Sequence, residues 1–241
     1  MITRNPSLTD QVKAHLKQRI ADDAFDDGRI PPETELASDL GVSRTTVRDA
    51  LSRLEQEGAI YRRQGAGTFV NEHGLQIKSR LEEIWSYEQV LEDHGYEPSV
   101  TVLGETVDAP DPVTLEALAL GPDDMVVTIE KIFREDDEPV ILTINRIPSQ
   151  LLVDGDYAAD EATPIYEFIE RHTERALSYY LSEIVPVALD AETASKLEMA
   201  VGTPAISFEE VGFDHSNEPI VRATSYFRDD LLRFRLIRRR S

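Results

Sequence analysis

The stretch GVSRTTVRDALSRL, residues 41–54, sets Arg44 and Arg48 one helical turn apart near the start of a short helix. Ser43 is placed to cap that helix, and Val47, Leu51 and Leu54 give it an apolar stripe at spacings of three and four. The chain that carries it has 241 residues and a formal charge of -21. Arginines at the exposed start of a helix, in so acidic a protein, point to a polyanion as partner.

Upstream, LTDQVKAHLKQRIADDAF (8–25) repeats Leu8, Val12, Leu16, Ile20 and Phe25 at helical spacing. Gly28 and two prolines break it, and Pro32 suits the first turn of a second helix, ETELASDL, that stops at Gly41. Downstream, AIYRRQGAGTFV (59–70) reads as two short strands around a Gly65-Ala66-Gly67 turn. Three helices and a hairpin predict a winged helix-turn-helix over residues 1–70, mainly α with a β wing.

The last helix of such a motif enters the major groove and presents its N-terminal residues to base edges. Ser43, Arg44, Thr45, Thr46 and Arg48 occupy that end. Arginine chelates O6 and N7 of guanine, and threonine bonds a base or phosphate or touches a thymine methyl. Gly65 and Gly67 let backbone N–H groups approach DNA closely. Between residues 44 and 63 five arginines, Arg62 and Arg63 among them, face Asp49, Glu55 and Glu57, a local +2.

Composition fixes the rest of the frame. Hydrophobic content of 41% excludes a mainly disordered chain, and the absence of cysteine excludes disulfides, thiolate zinc sites and a cysteine nucleophile. No run approaches the roughly 18 apolar residues a bilayer span needs, and the N-terminus lacks an apolar signal core, so a cytoplasmic protein without membrane contact is expected. Residues 1–74 sum to a charge of -2 and the remainder to -19, with only five lysines in the whole chain. That acid-rich, lysine-poor surface is the pattern of halophilic proteins.

Residues 71–79 read as a linker, and residues 80–95 as an amphipathic helix. Beyond them strand-like runs (SVTVLGETV, MVVTIEKIF, PVILTINRI, YYLSEIVPVAL, AISFEEVGF, PIVRATSYF) alternate with helices near 112–120, 164–172 and 191–200. This predicts an α+β domain over residues 80–241 with a largely antiparallel sheet. An internal repeat aligns Glu130, Phe133, Glu138 and Pro139 with Glu210, Phe213, Glu218 and Pro219, implying two equivalent hairpins about a shared sheet or pocket.

Residues 8–70, through PPETELASDLGVSRTTVRDALSRLEQEGAIYRRQGAGTFV, resemble the DNA-binding domain of the GntR superfamily of transcription regulators. The resemblance implies DNA contacts at Arg44, Thr46, Arg48, Gly65, Gly67 and Thr68; Ser43 and Thr45 at the helix start and Arg63 in the basic patch complete the expected set with Thr34, which stands where many members carry arginine. Residues 80–238 resemble, more loosely, the UTRA effector domain of the HutC subfamily, with its chorismate-lyase-like fold, through Glu138-Pro139, Pro148, Ile165-Tyr166, the acidic helix before Gly202 and Tyr226-Phe227-Arg228. The resemblance implies a small-molecule effector, a homodimer and a double-stranded DNA operator. Effector contacts are expected from Lys131, Thr143, Tyr166, Arg222 and Tyr226. Sugar-phosphate sensors of this kind tend to carry two arginines and a serine where this chain has Lys131, Phe133 and Pro164, and often an acidic residue at the position of Thr143, which argues against a phosphosugar.

The histidines at 15, 73, 94, 172 and 215 lack metal-ligand spacing, and no Gly-x-Ser-x-Gly or Walker-type loop is present, so neither metal, cofactor nor catalytic residue is expected. The terminal RFRLIRRRS (233–241) reads as a solvated basic tail. The reading is a ligand-responsive, sequence-specific transcription regulator, a repressor released by a small metabolite, and not an enzyme. Two alternatives stand beside it. One is a DNA-tethered enzyme on the chorismate-lyase-like fold, separable by turnover of candidate metabolites; the other is a ligand-independent DNA binder, separable by a thermal-shift screen.

Overall fold

The structure is a computed structural model that describes residues 7–74, 81, 83–153, 158–228, 232 and 234. The chain divides into two compact units, the second running Leu81–Phe234. Each is described by itself.

In the first unit α1 (Leu8–Ala21) starts at Ser7, whose hydroxyl accepts the Asp10 N–H, and buries Val12, Leu16 and Ile20. It ends one turn earlier than its apolar spacing predicts, because Asp23 takes a left-handed conformation (φ 51°); Phe25 is still buried from the loop beyond. A two-residue strand β1 (Arg29–Ile30) leads to α2 (Glu33–Leu40), with Pro32 as its N-cap and Gly41 closing it at φ 64°. Then follow α3 (Arg44–Gln56), β2 (Ile60–Arg63) and β3 (Gly67–Val70). The wing is a three-stranded antiparallel sheet in the order β1-β3-β2, one strand more than the hairpin the sequence suggests. Leu16, Leu36, Val47, Leu51, Leu54 and Ile60 form the common core. Lys13 and Glu57 bind α1 to the end of α3 at 2.5 Å. Asn71, assigned to the linker from sequence, instead extends the wing: its N–H donates to Ala59 O and its amide to Gly58 O, both at 2.8 Å. The remaining linker positions 75–79 lie outside the described residues, as do residues 233 and 235–241 of the basic tail.

The second unit contains α4 (Tyr87–Asp93), β4 (Ser99–Asp108), α5 (Pro112–Ala117), β5 (Val126–Glu135), β6 (Glu138–Pro148), α6 (Ile165–His172), β7 (Leu177–Ala188), α7 (Ala191–Lys196), β8 (Pro204–Asp214) and β9 (Pro219–Phe227). The amphipathic helix expected from residue 80 begins only at Tyr87. Ser86 caps it by accepting the Gln89 N–H, while Leu81 and Trp85 reach the core from non-helical backbone. One antiparallel sheet runs β4-β5-β6-β9-β8-β7.

The order of elements, helix, strand, helix, hairpin, occurs twice, and the copies meet where β6 pairs β9 with Ile144 opposite Thr224. The second helices correspond closely. Asp111 caps α5 by accepting the Thr114 N–H, and Asp190 caps α7 by accepting that of Thr193, each at 2.8 Å. The hairpins correspond with one difference. The first turns tightly on Asp136 and Asp137, both at positive φ, whereas the second spends an extra residue, with Asn217 at φ 63° and the Asp214 carboxylate accepting the Ser216 and Glu218 N–H groups.

That residue shifts the equivalence on the leading strand. Lys131 pairs Thr143, the copy of Thr143 is Ala223, and Ala223 pairs Glu210. Lys131 is therefore equivalent to Glu210, and Phe133 to Gly212. The match of Glu130 and Phe133 with Glu210 and Phe213 seen in sequence is out of register by one, which places its members on opposite faces of the sheet.

Helices α4 and α6 cover one face of this sheet, on Phe133, Ile141 and Phe227 and on Val127, Ile147 and Val221 respectively. Helix α7 packs on the other, over Ile132 and Leu142. At Gly212 a Cβ would lie 2.6 Å from Val221 Cγ1, 2.7 Å from Leu177 Cδ1 and 2.8 Å from Tyr180 Cε1. The space left by the missing side chain holds the Tyr180 ring. Gly212→Ala is expected to cost about 1–3 kcal/mol by overpacking, measured by urea unfolding of the full chain. Gly104→Ala, with nothing within 4 Å of its Cβ, serves as the near-neutral control.

Candidate functional site

The exposed start of α3 is built around its cap. Ser43 Oγ accepts the Thr46 N–H at 3.1 Å and shares a hydrogen bond with Thr46 Oγ1 at 2.8 Å. Two of the expected DNA contacts are therefore occupied in holding the helix start, while Arg44 and Thr45 project into solvent beside them. Arg44 has no side-chain partner among the described residues. Arg48 is oriented by Glu33, which accepts from its Nη2 at 3.0 Å and from its Nε at 3.2 Å. This ion pair joins the first turn of α2 to the exposed face of α3, and it leaves Nη1 and one Nη2 hydrogen of Arg48 outside the pair. Thr34 is exposed in that same first turn.

In the wing, Gly65 (φ 74°) and Gly67 (φ 124°) form the turn, in conformations that side chains rarely adopt. Arg63 lies over the Phe69 ring at 6.0 Å, and Thr68 is half-buried. Arg62 turns back to Ser52 and Glu55 of α3. The sequence reading missed Arg29, whose Nη2 donates to Ala66 O at 3.2 Å and braces the turn from β1. A basic residue between the breakers Gly28 and Pro31 was the available signal.

The second unit holds a cavity of about 620 Å³ on the sheet face covered by α4 and α6. Two cross-strand rows make its floor: Lys131, Thr143, Ser225 and Phe208, then Asn145, Ala223, Glu210 and Ser182. The start of α4, from Trp85 to Glu88, and the start of α6, from Pro164 to Tyr166, supply walls together with Tyr180. The cavity lies between the two copies of the repeat.

Of the residues expected to contact an effector, Lys131, Thr143 and Tyr166 line this cavity. Arg222 and Tyr226 do not. On β9 Ala223 and Ser225 face the cavity, so strict alternation turns positions 222 and 226 to the opposite face. There Arg222 donates to Thr114 Oγ1 of α5 at 3.2 Å, and Tyr226 packs with the α7 cluster. The same alternation, applied to Thr143, would have found Asn145. Glu210, Trp85, Tyr87 and Tyr180 carried no signal in the sequence, because the one-residue shift and the non-helical lead into α4 place them.

Lys131 Nζ donates to Asp160 O at 2.6 Å and to Thr163 O at 2.7 Å, tying down the segment that enters α6. Burial lowers its pKa, against the opposing field of Glu88, Asp160 and Glu161. Across the floor, burial raises the pKa of Glu210, whose carboxylate accepts from Ser182. Tyr87 donates to Ser225 Oγ at 2.9 Å. The Tyr180 hydroxyl and the Trp85 Nε1 are buried with no hydrogen-bond partner among the described residues, an arrangement that costs stability.

Residues 8–70 match the family described as bacterial regulatory proteins, gntR family, and residues 93–233 match the UTRA domain. The chain belongs to the GntR family and carries a UTRA domain. It is 26% identical over 226 residues to the HTH-type transcriptional repressor NagR of Bacillus subtilis, covering 93% of this chain and 91% of that protein. It is 30% identical over 214 residues to the HTH-type transcriptional regulator Rv0792c of Mycobacterium tuberculosis, covering 86% of this chain and 76% of the relative. The crystal structure of the possible transcriptional regulator YydK from Bacillus subtilis shares the fold, with a TM-score of 0.74 at 18% identity over 97% of this chain and 100% of that one. The GntR–UTRA chain is thus a DNA-binding transcription regulator whose relatives are regulators and not enzymes, with a winged helix-turn-helix and an α+β effector domain. No helix among the described residues is long and apolar enough to cross a membrane.

Arg44→Ala and Arg48→Ala are each expected to weaken operator binding by about 1–3 kcal/mol, the scale of a bidentate guanine contact. Glu33→Gln, which releases Arg48 and removes a negative charge beside it, should tighten binding. Fluorescence anisotropy at matched salt measures all three. Wild-type affinity in both arginine variants would remove α3 as the reading helix.

Proposed function

We propose that this GntR–UTRA chain is a homodimeric cytoplasmic repressor that leaves its operator when a small metabolite fills the cavity of its second unit. The observation that carries the reading is the cavity itself: about 620 Å³ on the covered face of the sheet, walled by aromatic rings and floored by Lys131, Asn145 and Glu210. The name of its relative NagR supports repression. The proposed DNA-contacting set is Thr34, Arg44, Thr45, Arg48, Arg63, Gly65, Gly67 and Thr68, with Ser43 and Thr46 acting mainly as the cap. The direct test is to select operator sites from random duplex DNA with the full chain, then to screen metabolites for release of the selected site. Release by a compound that also raises the thermal midpoint supports the reading; binding to DNA without sequence preference counts against it.

The second unit is also the proposed dimerisation domain. Strand β7 lies at the edge of the sheet over twelve residues, with Leu181 64% and Ile184 52% exposed on its two faces. A long apolar edge of this kind is normally covered or charged, and a second copy would cover it while setting two reading helices on a pseudo-palindrome. Leu181→Asp should shift the chain from dimer to monomer in sedimentation velocity and weaken operator binding. A monomeric wild type at micromolar concentration would overturn the assignment.

The acidity is read as adaptation to high salt. Ordinary DNA binding weakens with a log-log salt slope of about -0.9 per neutralised phosphate. Here the residues beyond 74 carry -19, so cation uptake on binding opposes that release. Raising KCl is expected to weaken operator binding less than the number of phosphate contacts implies, and to raise the thermal midpoint as carboxylate repulsion is screened. A steep loss of affinity with an indifferent midpoint would reject the halophilic reading.

A further inference from the structure

The two copies of the repeat place Lys131 and Glu210 at equivalent positions on the cavity floor, with opposite charges. Their surroundings make them unequal. Lys131 is spent: two of its three N–H groups are held by the carbonyls of Asp160 and Thr163, so it serves the segment before α6 more than the cavity. Both arginines near the sheet centre, Arg146 and Arg222, lie toward Asp111 on the far face. Glu210 accepts only from Ser182 among the described residues, and Glu83 and Glu88 add two further carboxylates to the lining. Aromatic rings cover the same space: Tyr87 stands edge-on to Phe133 at 5.6 Å, and Trp85 is tilted over Phe208 at 6.3 Å.

Resting on the reading of this cavity as the effector site, we propose that it takes a small organic cation, with Glu210 as counter-ion and the rings of Trp85 and Tyr180 against the charge. Carboxylate and aromatic faces both attract a cation, most strongly where water is excluded. The Tyr180 hydroxyl and the Trp85 N–H are themselves turned away from the open space, so the two residues offer the ligand their rings and not their polar atoms. Burial disfavours the charged form of Glu210, and an arriving cation restores it. A phosphate in this place would face Glu210 and Glu88, with no arginine among the described lining residues and with Lys131 already bonded to two carbonyls.

Trp85 is the one tryptophan of the chain, so its emission reports this cavity specifically. The full-length protein and its Glu210→Gln and Tyr180→Phe variants would be titrated with choline, and with one ring scaffold in three charge states: glucosamine, glucose and glucose 6-phosphate. Choline and glucosamine are expected to change Trp85 emission saturably. Glu210→Gln should weaken both by about tenfold or more, while Tyr180→Phe, which keeps the ring, should hold both within about twofold, with far-UV circular dichroism unchanged. A flat response to both cations, tighter binding of glucose 6-phosphate than of glucosamine, or equal cation affinity in Glu210→Gln overturns the proposal. Operator release, followed in parallel, separates the two readings. Release by glucose 6-phosphate alone would sink the cation and keep the effector site, while Glu210-dependent cation binding that leaves operator affinity untouched would keep the cation site and sink the effector role.

Discussion

The second unit depends on the antiparallel pairing of β6 with β9. That pairing joins the two copies of the repeat, sets Ile144 opposite Thr224, and aligns Thr143 with Ser225 and Asn145 with Ala223. Because alternate residues of a strand face opposite ways, fixing one pair fixes the facing of every residue in the four central strands. The cavity floor and the packing surface for α7 are the two sides of that single choice. The sequence repeat is the covalent trace of the arrangement, and its helices show it most plainly in the twin caps Asp111 and Asp190.

One extra residue in the second hairpin turn then breaks the equivalence. Had both turns been two residues long, Glu210 would stand where Glu209 does, on the face away from the cavity. Glu130 shows the consequence of that facing: it is bonded to Lys196 of α7 at 2.6 Å. The longer turn, held by the Asp214 carboxylate, moves Glu210 to the cavity side and puts Gly212 at the position equivalent to Phe133, where its missing side chain admits the Tyr180 ring. The chemical asymmetry of the cavity thus follows from a local difference in loop length. A buried lysine answers to backbone carbonyls on one side and a buried carboxylate to a single serine on the other.

In the first unit the decisive contacts are short in range. Ser43 and Thr46 fix the start of α3, and Glu33 orients Arg48 across the turn. These groups hold the reading surface in place, so fewer of its side chains are free for DNA than a list of polar residues near a helix start suggests. Exposed ion pairs of this kind add little stability. Their effect here is on direction, since a guanidinium held at two nitrogens has a defined orientation.

By itself the sequence determined the winged helix-turn-helix, the six long strands of the second unit and the basic character of α3, because each rests on local spacing: apolar periodicity, caps, Gly and Pro breakers, and a motif contiguous in the chain. Thr143 was legible through resemblance, and Lys131 and Tyr166 likewise. Arg222 and Tyr226 were placed on the wrong face, and Glu210, Tyr180 and Trp85 were not found. Which face a strand residue occupies depends on register across strands far apart in sequence, and register turned on one loop residue and on bulges at Val140 and Ile220. The identity of α3 needed only neighbours along the chain; the chemistry of the cavity was decided by pairings that exist only once the sheet has formed.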